Sequence, residues 1–170
     1  MLVEPIASKL KLITKMSGGR VKHRLIMGCL MSGVNSISKQ AEIVVLPRIA
    51  DLVYDVLKLL DGVSPEEGIY FLVLDFVDAF FRVPLSPAER HYFVVQYAWR
   101  LLQWNRVAQG STNGPQAFGR LAALVGRLTQ SALDGDRARL HIYTDDPIMA
   151  VRGTRPQADE VITKAVLLWR

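Results

Sequence analysis

Two adjacent aspartates, Asp145-Asp146, stand between two short runs of strand-forming residues, 139–143 and 147–151. Side-by-side carboxylates add nothing to a core, so the segment reads as a hairpin with the doublet at its tip. A third carboxylate, Asp75, lies near the carboxyl end of the almost unbroken apolar run 69–76. Such a run, bounded by turn signals, predicts a buried central strand. A carboxylate left buried and unpaired there costs several kcal/mol, so a positive group is expected beside Asp75. Asp75 and the doublet can converge only if their strands lie side by side in one sheet, a requirement that constrains the topology more than any other feature.

Convergent aspartates have a definite chemistry. Hard divalent cations take oxygen ligands, and magnesium keeps waters and substrate phosphate oxygens in its shell, so two or three carboxylates suffice. A pair of such ions roughly 3.5 to 4 Å apart clamps the attacking and leaving oxygens of a phosphoryl transfer. Taken singly, the residues leave plainer readings open. Asp145-Asp146 suits an ordinary turn, and Asp75 or Asp78 suits a helix amino-terminal cap.

The rest of the chain predicts an α+β fold. Pro5, Ile6, Leu10 and Ile13 suggest a short helix over 5–16, broken by Ser17-Gly18-Gly19-Arg20. Residues 21–31 read as extended, with Lys22 and Arg24 on one face. Ser32 to Ser36 read as a turn, and 43–46 as a short β-branched strand ending at Pro47. Ile49, Leu52, Val53, Val56, Leu57 and Leu60 then form the stripe of an amphipathic helix stopped by Asp61-Gly62. Segments near 91–96 and 101–107 predict a hairpin. A polar loop, 109–115, enters a helix whose expected buried stripe is Phe118, Leu121, Val125 and Leu128. A final helix is expected over 156–168. With no repeat and no linker, the chain reads as one unit.

Half the residues are hydrophobic, so a packed core is expected. No apolar run approaches the roughly eighteen residues of a membrane span and no secretory signal opens the chain, so the expectation is a protein off the membrane, in the cytoplasm or nucleus. Cys29 is the single cysteine and reads as a small core hydrophobe. The net charge of +5 comes from residues 1–24, where six basic side chains face Glu4 alone, while the remaining residues balance. A basic amino-terminal arm suits a polyanion such as nucleic acid or nucleotide phosphate, or else a solvated helix face or a weak targeting segment.

Three stretches in order, Leu-Asp-Phe-Val-Asp-Ala-Phe-Phe-Arg-Val-Pro-Leu at 74–85, Ala-Gln-Gly-Ser-Thr-Asn-Gly-Pro at 108–115 and Tyr-Thr-Asp-Asp at 143–146, resemble the palm motifs of reverse transcriptases from retrotransposons and retroviruses. Lys22 to Met27, Ser32-Gly33-Val34-Asn35 and Leu46-Pro47 resemble that family's fingers segment. The resemblance implies a right-hand polymerase palm, an antiparallel sheet backed by helices, with partial fingers. It implies a reverse transcriptase domain over 20–170 of a retroelement polyprotein, after an unassigned basic segment 1–19. The implied activity is RNA-directed DNA polymerisation, adding a dNTP to a primer 3′-hydroxyl on an RNA or DNA template.

By the same resemblance, Asp75, Asp145 and Asp146 hold two Mg2+ ions, with Mn2+ able to replace them. Lys22 and Arg24 contact the triphosphate, Phe80 blocks a ribose 2′-hydroxyl or else is a core aromatic on a helical turn, and Gln109 and Gly110 line the nucleotide and template. Asp78 takes sugar-side or capping contacts. The chain departs from the family at Gly28 and Leu30, where an acidic residue and an arginine are usual, and at Pro147, which removes a donor expected to be dispensable at an edge or tip. It also stops before a thumb or ribonuclease H, which adjacent polyprotein segments would supply. These departures imply a second reading, a truncated or degenerate domain that binds nucleic acid without polymerising.

Overall fold

The structure, a computed structural model, describes residues 7–39 and 42–169. In chain order the elements are β1 (Leu10–Ser17), β2 (Arg20–Met27), α1 (Val34–Ile37), α2 (Ile49–Leu60), β3 (Gly68–Val73), α3 (Ala79–Arg82), β4 (Val94–Tyr97), β5 (Arg100–Gln103), α4 (Gly114–Ser131), β6 (Ala138–Tyr143), β7 (Asp146–Gly153) and α5 (Arg155–Leu168). They divide between two compact units, Met1–Ile43 with Asp78–Phe118, and Val44–Val77 with Gly119–Arg170.

In the first unit β1 and β2 form an antiparallel ribbon joined by Gly18-Gly19, both at positive φ. Glycine supplies that conformation without the penalty an L side chain meets. The helix expected over 5–16 is therefore a strand from Leu10 onward, while Pro5 and Ile6 lie outside the described residues. A helix that short is marginal alone, whereas Lys-Leu-Lys-Leu alternation followed by a Gly-Gly turn pairs readily with β2. A domain boundary at residue 20 falls at the first residue of β2 and would separate these partners. The expected turn at Ser32 to Ser36 holds the short helix α1. The β4–β5 hairpin matches the expected one with shorter strands. Met27, Cys29, Val34, Phe93, Val95 and Val107 form the core of this unit, so Cys29 is a buried hydrophobe as expected, and its burial pushes the thiol pKa up.

The second unit is built on a three-stranded antiparallel sheet in the order β3-β7-β6. Tyr70, Leu72, Met149, Val151, Ala138 and Leu140 line one face and pack against Ala158, Val161, Ile162 and Ala165 of α5. A Thr154–Gln157 capping box starts that helix. One residue on from Leu140, and so on the opposite face, His141 meets Asp55 of α2 at 2.9 Å. The sheet is thus backed by helices on both faces. Arg152 donates to Glu67 and to the carbonyls of Asp61 and Gly62, satisfying the carboxyl end of α2.

Further expectations are overturned at β3, at 43–46 and on α4. β3 is an edge strand and half exposed, because the centre of the sheet is β7, where Met149, Ala150 and Val151 are fully buried. Residues 43–46 form no strand; Ile43 and Val45 are each 90% exposed, and β-branched residues make a strand only where a neighbour pairs with them. The amphipathic helix expected from Ile49 forms as α2 and ends at Asp61-Gly62, with Leu59 buried, Leu52 and Val56 half-buried, and Ile49, Val53, Leu57 and Leu60 exposed. On α4 the buried positions are Gly114, Gln116, Phe118, Ala122 and Thr129, while Leu121 and Leu128 are exposed. Packing against β6 is close at Gly126, where an added Cβ would come within 2.9 Å of the end of the Ile142 side chain.

Candidate functional site

The register of β3 on β7 carries the central carboxylates together. Val73 pairs with Ile148, and the ladder continues past the strand end: the Leu74 N–H donates to the Pro147 carbonyl at 3.0 Å and the Phe76 N–H to the Asp145 carbonyl at 2.8 Å. Between those two bonded pairs Asp75 lies opposite Asp146 as a non-hydrogen-bonded pair, with both side chains on one face. This is the side-by-side arrangement that the sequence requires. Asp75 and Asp146 are exposed and Asp145 half-buried, so the expected burial cost at Asp75, and with it the need for a positive neighbour, does not arise.

Asp145 follows Thr144 in a two-residue turn between Tyr143 and Asp146, which pair with each other. Thr144 is held at φ 57, a conformation that a β-branched residue adopts at a cost. Pro147, expected at an edge or tip, is buried on the central strand. Its carbonyl faces Leu74, so the N–H it lacks would have donated to Leu74, and the ladder is one bond short beside the carboxylates.

Among the described residues, no three His, Cys, Asp or Glu side chains are drawn together closely enough to hold a metal ion. The donor type fits one nonetheless: Asp75 and Asp146 offer exposed carboxylate oxygens on a common face, the ligands that hard cations take.

The remaining site candidates belong to the first unit. Lys22 and Arg24 are exposed on β2, and the ribbon register places Lys11, Lys15 and Arg20 on the same face with no carboxylate among them. The other face carries Leu12, Met16, Val21 and Leu25, with a Thr14–His23 hydrogen bond of 3.0 Å. Arg20 shares the face of Lys22 and Arg24 by its spacing along β2, and the cross-strand register adds Lys11 and Lys15 to them.

Phe80 packs edge-on against Phe118, ring centres 6.1 Å apart, at the border of the core. Asp78 occupies the amino-terminal cap position of α3 at φ 54 and makes no side-chain capping bond. The Gln109 carbonyl accepts from the Met27 N–H at 2.8 Å. Gly110 sits at φ 110, where an added Cβ would lie 2.1 Å from the Met27 carbonyl oxygen. No other residue fits there, and the loop backbone is seated directly on the end of β2.

Comparison with known proteins gives this arrangement a family. The family model described as reverse transcriptase (RNA-dependent DNA polymerase) matches residues 13–167. The chain is 33% identical over 112 residues to the Pol polyprotein of feline endogenous virus ECE1, covering 57% of this chain and 10% of that protein. It is 35% identical over 103 residues to the Gag-Pol polyprotein of avian reticuloendotheliosis virus, covering 57% of this chain and 8% of that one. It therefore spans about a tenth of the length of these relatives. Among solved structures, a foamy viral protease-reverse transcriptase in complex with double-stranded DNA superposes with a TM-score of 0.63 at 15% identity, over 95% of this chain and 24% of that one. The shared fold is the right-hand polymerase architecture. The chain belongs to the reverse transcriptase family, the RNA-dependent DNA polymerases.

Proposed function

We propose that this chain is the fingers-palm portion of a retroelement reverse transcriptase and transfers deoxynucleotides to a primer 3′-hydroxyl on an RNA or DNA template. The observation that carries the reading is Asp75 facing Asp146 across β3–β7, with Asp145 in the adjoining turn. These three carboxylates would hold two Mg2+ ions, or Mn2+, which supply charge neutralisation for the attacking and leaving oxygens. The chain's own contribution is positioning and electrostatics. Lys22 and Arg24 would receive the triphosphate as point charge and bidentate fork. Gln109 and Gly110 would let backbone approach nucleotide and template, and Phe80 would crowd a ribose 2′-hydroxyl. The reverse transcriptase domain would occupy 20–170, joined through the ribbon to part of 1–19, with thumb and ribonuclease H coming from adjacent polyprotein segments. Its relatives are polyproteins, and the foamy viral enzyme named above was captured on double-stranded DNA.

The test is magnesium-dependent extension of oligo(dT) on poly(rA). Extension should occur with the natural chain and vanish in Asp145→Asn; persistence in that variant rejects the assignment of the carboxylates.

A second reading, a degenerate domain that binds primed template without extending it, is favoured by Gly28 and Leu30. A Cβ at Gly28 would sit 3.2 Å from the Lys9 carbonyl oxygen, so an acidic side chain there needs the Lys9 backbone to give slightly, and Leu30 is 74% exposed where an arginine is usual. Salt-sensitive binding of primed RNA without extension selects this reading.

A further inference from the structure

The Ser32-Gly33-Val34-Asn35 motif has no task in the proposed function, yet Asn35 makes two long-range hydrogen bonds. Its Nδ2 donates to the Gly110 carbonyl at 3.1 Å, and its Oδ1 accepts from the Thr112 N–H at 3.0 Å. One side-chain amide thus meets an acceptor and a donor two residues apart on the loop, as a neighbouring peptide group would. The two bonds fix the amide's orientation, because a flipped amide would set donor against donor and acceptor against acceptor.

Asn35 is itself held firmly. Its N–H donates to the Cys29 carbonyl at 3.2 Å, and the preceding Val34 is buried in the core. On the opposite side of the loop, the Met27 backbone binds Gln109 and closes off the space beside Gly110. The loop is therefore gripped from two sides, by the end of β2 and by Asn35. Aspartate lacks the donor, serine has no second polar atom on the same side chain, and glutamine is longer by one methylene. The grip is also uncharged, so it adds no fixed charge beside groups proposed to meet phosphate.

We propose that Asn35 is a positioning residue that fixes the Gln109-Gly110 loop for the incoming nucleotide. This rests on the proposed role of that loop, so the experiment separates the two claims. Hydrogen exchange of the Thr112 amide reads the anchoring, and steady-state extension of oligo(dT) on poly(rA) with varied dTTP reads its use. In Asn35→Ala, Thr112 exchange should quicken about tenfold or more, and KM for dTTP should rise about tenfold with kcat within about threefold, as expected for loss of two hydrogen bonds. Asn35→Asp keeps the acceptor for Thr112 and loses the donor to Gly110, so its Thr112 exchange should stay slow while KM rises part of the way.

Unchanged Thr112 exchange in Asn35→Ala overturns the anchoring. Faster exchange with unchanged KM, or with KM and kcat worsening in step with melting temperature in both variants, overturns the positioning role. If the natural chain extends no primer, the polymerase reading fails by itself; equilibrium binding of dTTP to the complex with primed template then replaces KM, and equal affinity in Asn35→Ala and the natural chain overturns the proposal.

Discussion

Asp75 and Asp146 stand directly opposite each other across β3 and β7, two like charges in a non-hydrogen-bonded cross-strand pair. Side chains so placed have Cβ atoms about 4.5 to 5.5 Å apart, and like charges there are destabilising. Asp75→Asn should therefore raise stability in metal-free buffer by about 0.2 to 1 kcal/mol while cutting primer extension by about 10²-fold or more. Urea titration and an extension assay on one preparation check both halves. A variant that lost stability together with activity would mean that the pair serves the fold.

Thr144 carries strain beside that pair. A left-handed conformation costs an L residue about 1 to 2 kcal/mol, of which glycine's greater freedom in the unfolded chain returns part. Thr144→Gly should stabilise the chain by about 0.5 to 1 kcal/mol, and Thr144→Val should not. Thermal melts of the two variants provide the comparison.

The one-sided charge of the β1–β2 ribbon predicts a salt signature. Each phosphate contact to a single strand contributes about 0.7 to the slope of log affinity against log salt. Replacing Lys11, Lys15 and Arg20 with glutamine should lower that slope by about two, whereas Leu12→Thr with Val21→Thr on the opposite face should leave it alone. Fluorescence anisotropy with labelled RNA from low to moderate salt gives the slopes, and equal slopes for both variants would detach the ribbon from binding.

Glu67 predicts an acid-side dependence. The Arg152 guanidinium, at 2.9 Å, and the Ser64 N–H hold its carboxyl below the usual value of 4.5. A depressed folded pKa stabilises above the unfolded value and ceases to do so as pH falls through the folded one. Glu67→Gln should thus melt below the natural chain near neutrality, and the gap should close as the pH drops beneath 4.5. A gap that stayed constant into acid would show that charge is not what Glu67 contributes.

Much of this fold could be read from residue order, and the limits have physical reasons. α2, α5 and the β6–β7 hairpin follow from periodicity, caps and turn residues close in sequence. The expected helix before Gly18 failed because alternation and a Gly-Gly turn outweighed weak helical spacing. The place of β3 at the sheet edge could not be read, since an apolar run does not say which side lacks a neighbour. The α4 stripe holds at Phe118 but not at Leu121 and Leu128, since hydrophobicity alone does not say which face of a helix its neighbours cover. The aspartates were visible through their order, while the facing of Asp75 and Asp146 needed the register. Lys11 and Lys15 needed it as well, and the link from Asn35 to Gly110 spans 75 positions and leaves no local trace.

The α4 helix imposes a direction on the second unit. Gln130 presents its side-chain amide to the outer side of β6, its Nε2 donating to the Ala138 carbonyl and its Oε1 accepting from the Leu140 N–H, both at 2.9 Å. That amide imitates a strand one residue long and terminates the sheet there. Among the described residues no strand pairs with the outer side of β3. The sheet is closed at one margin and open at the other, so any strand that enlarged it would have to join along β3, the strand that leads into Asp75.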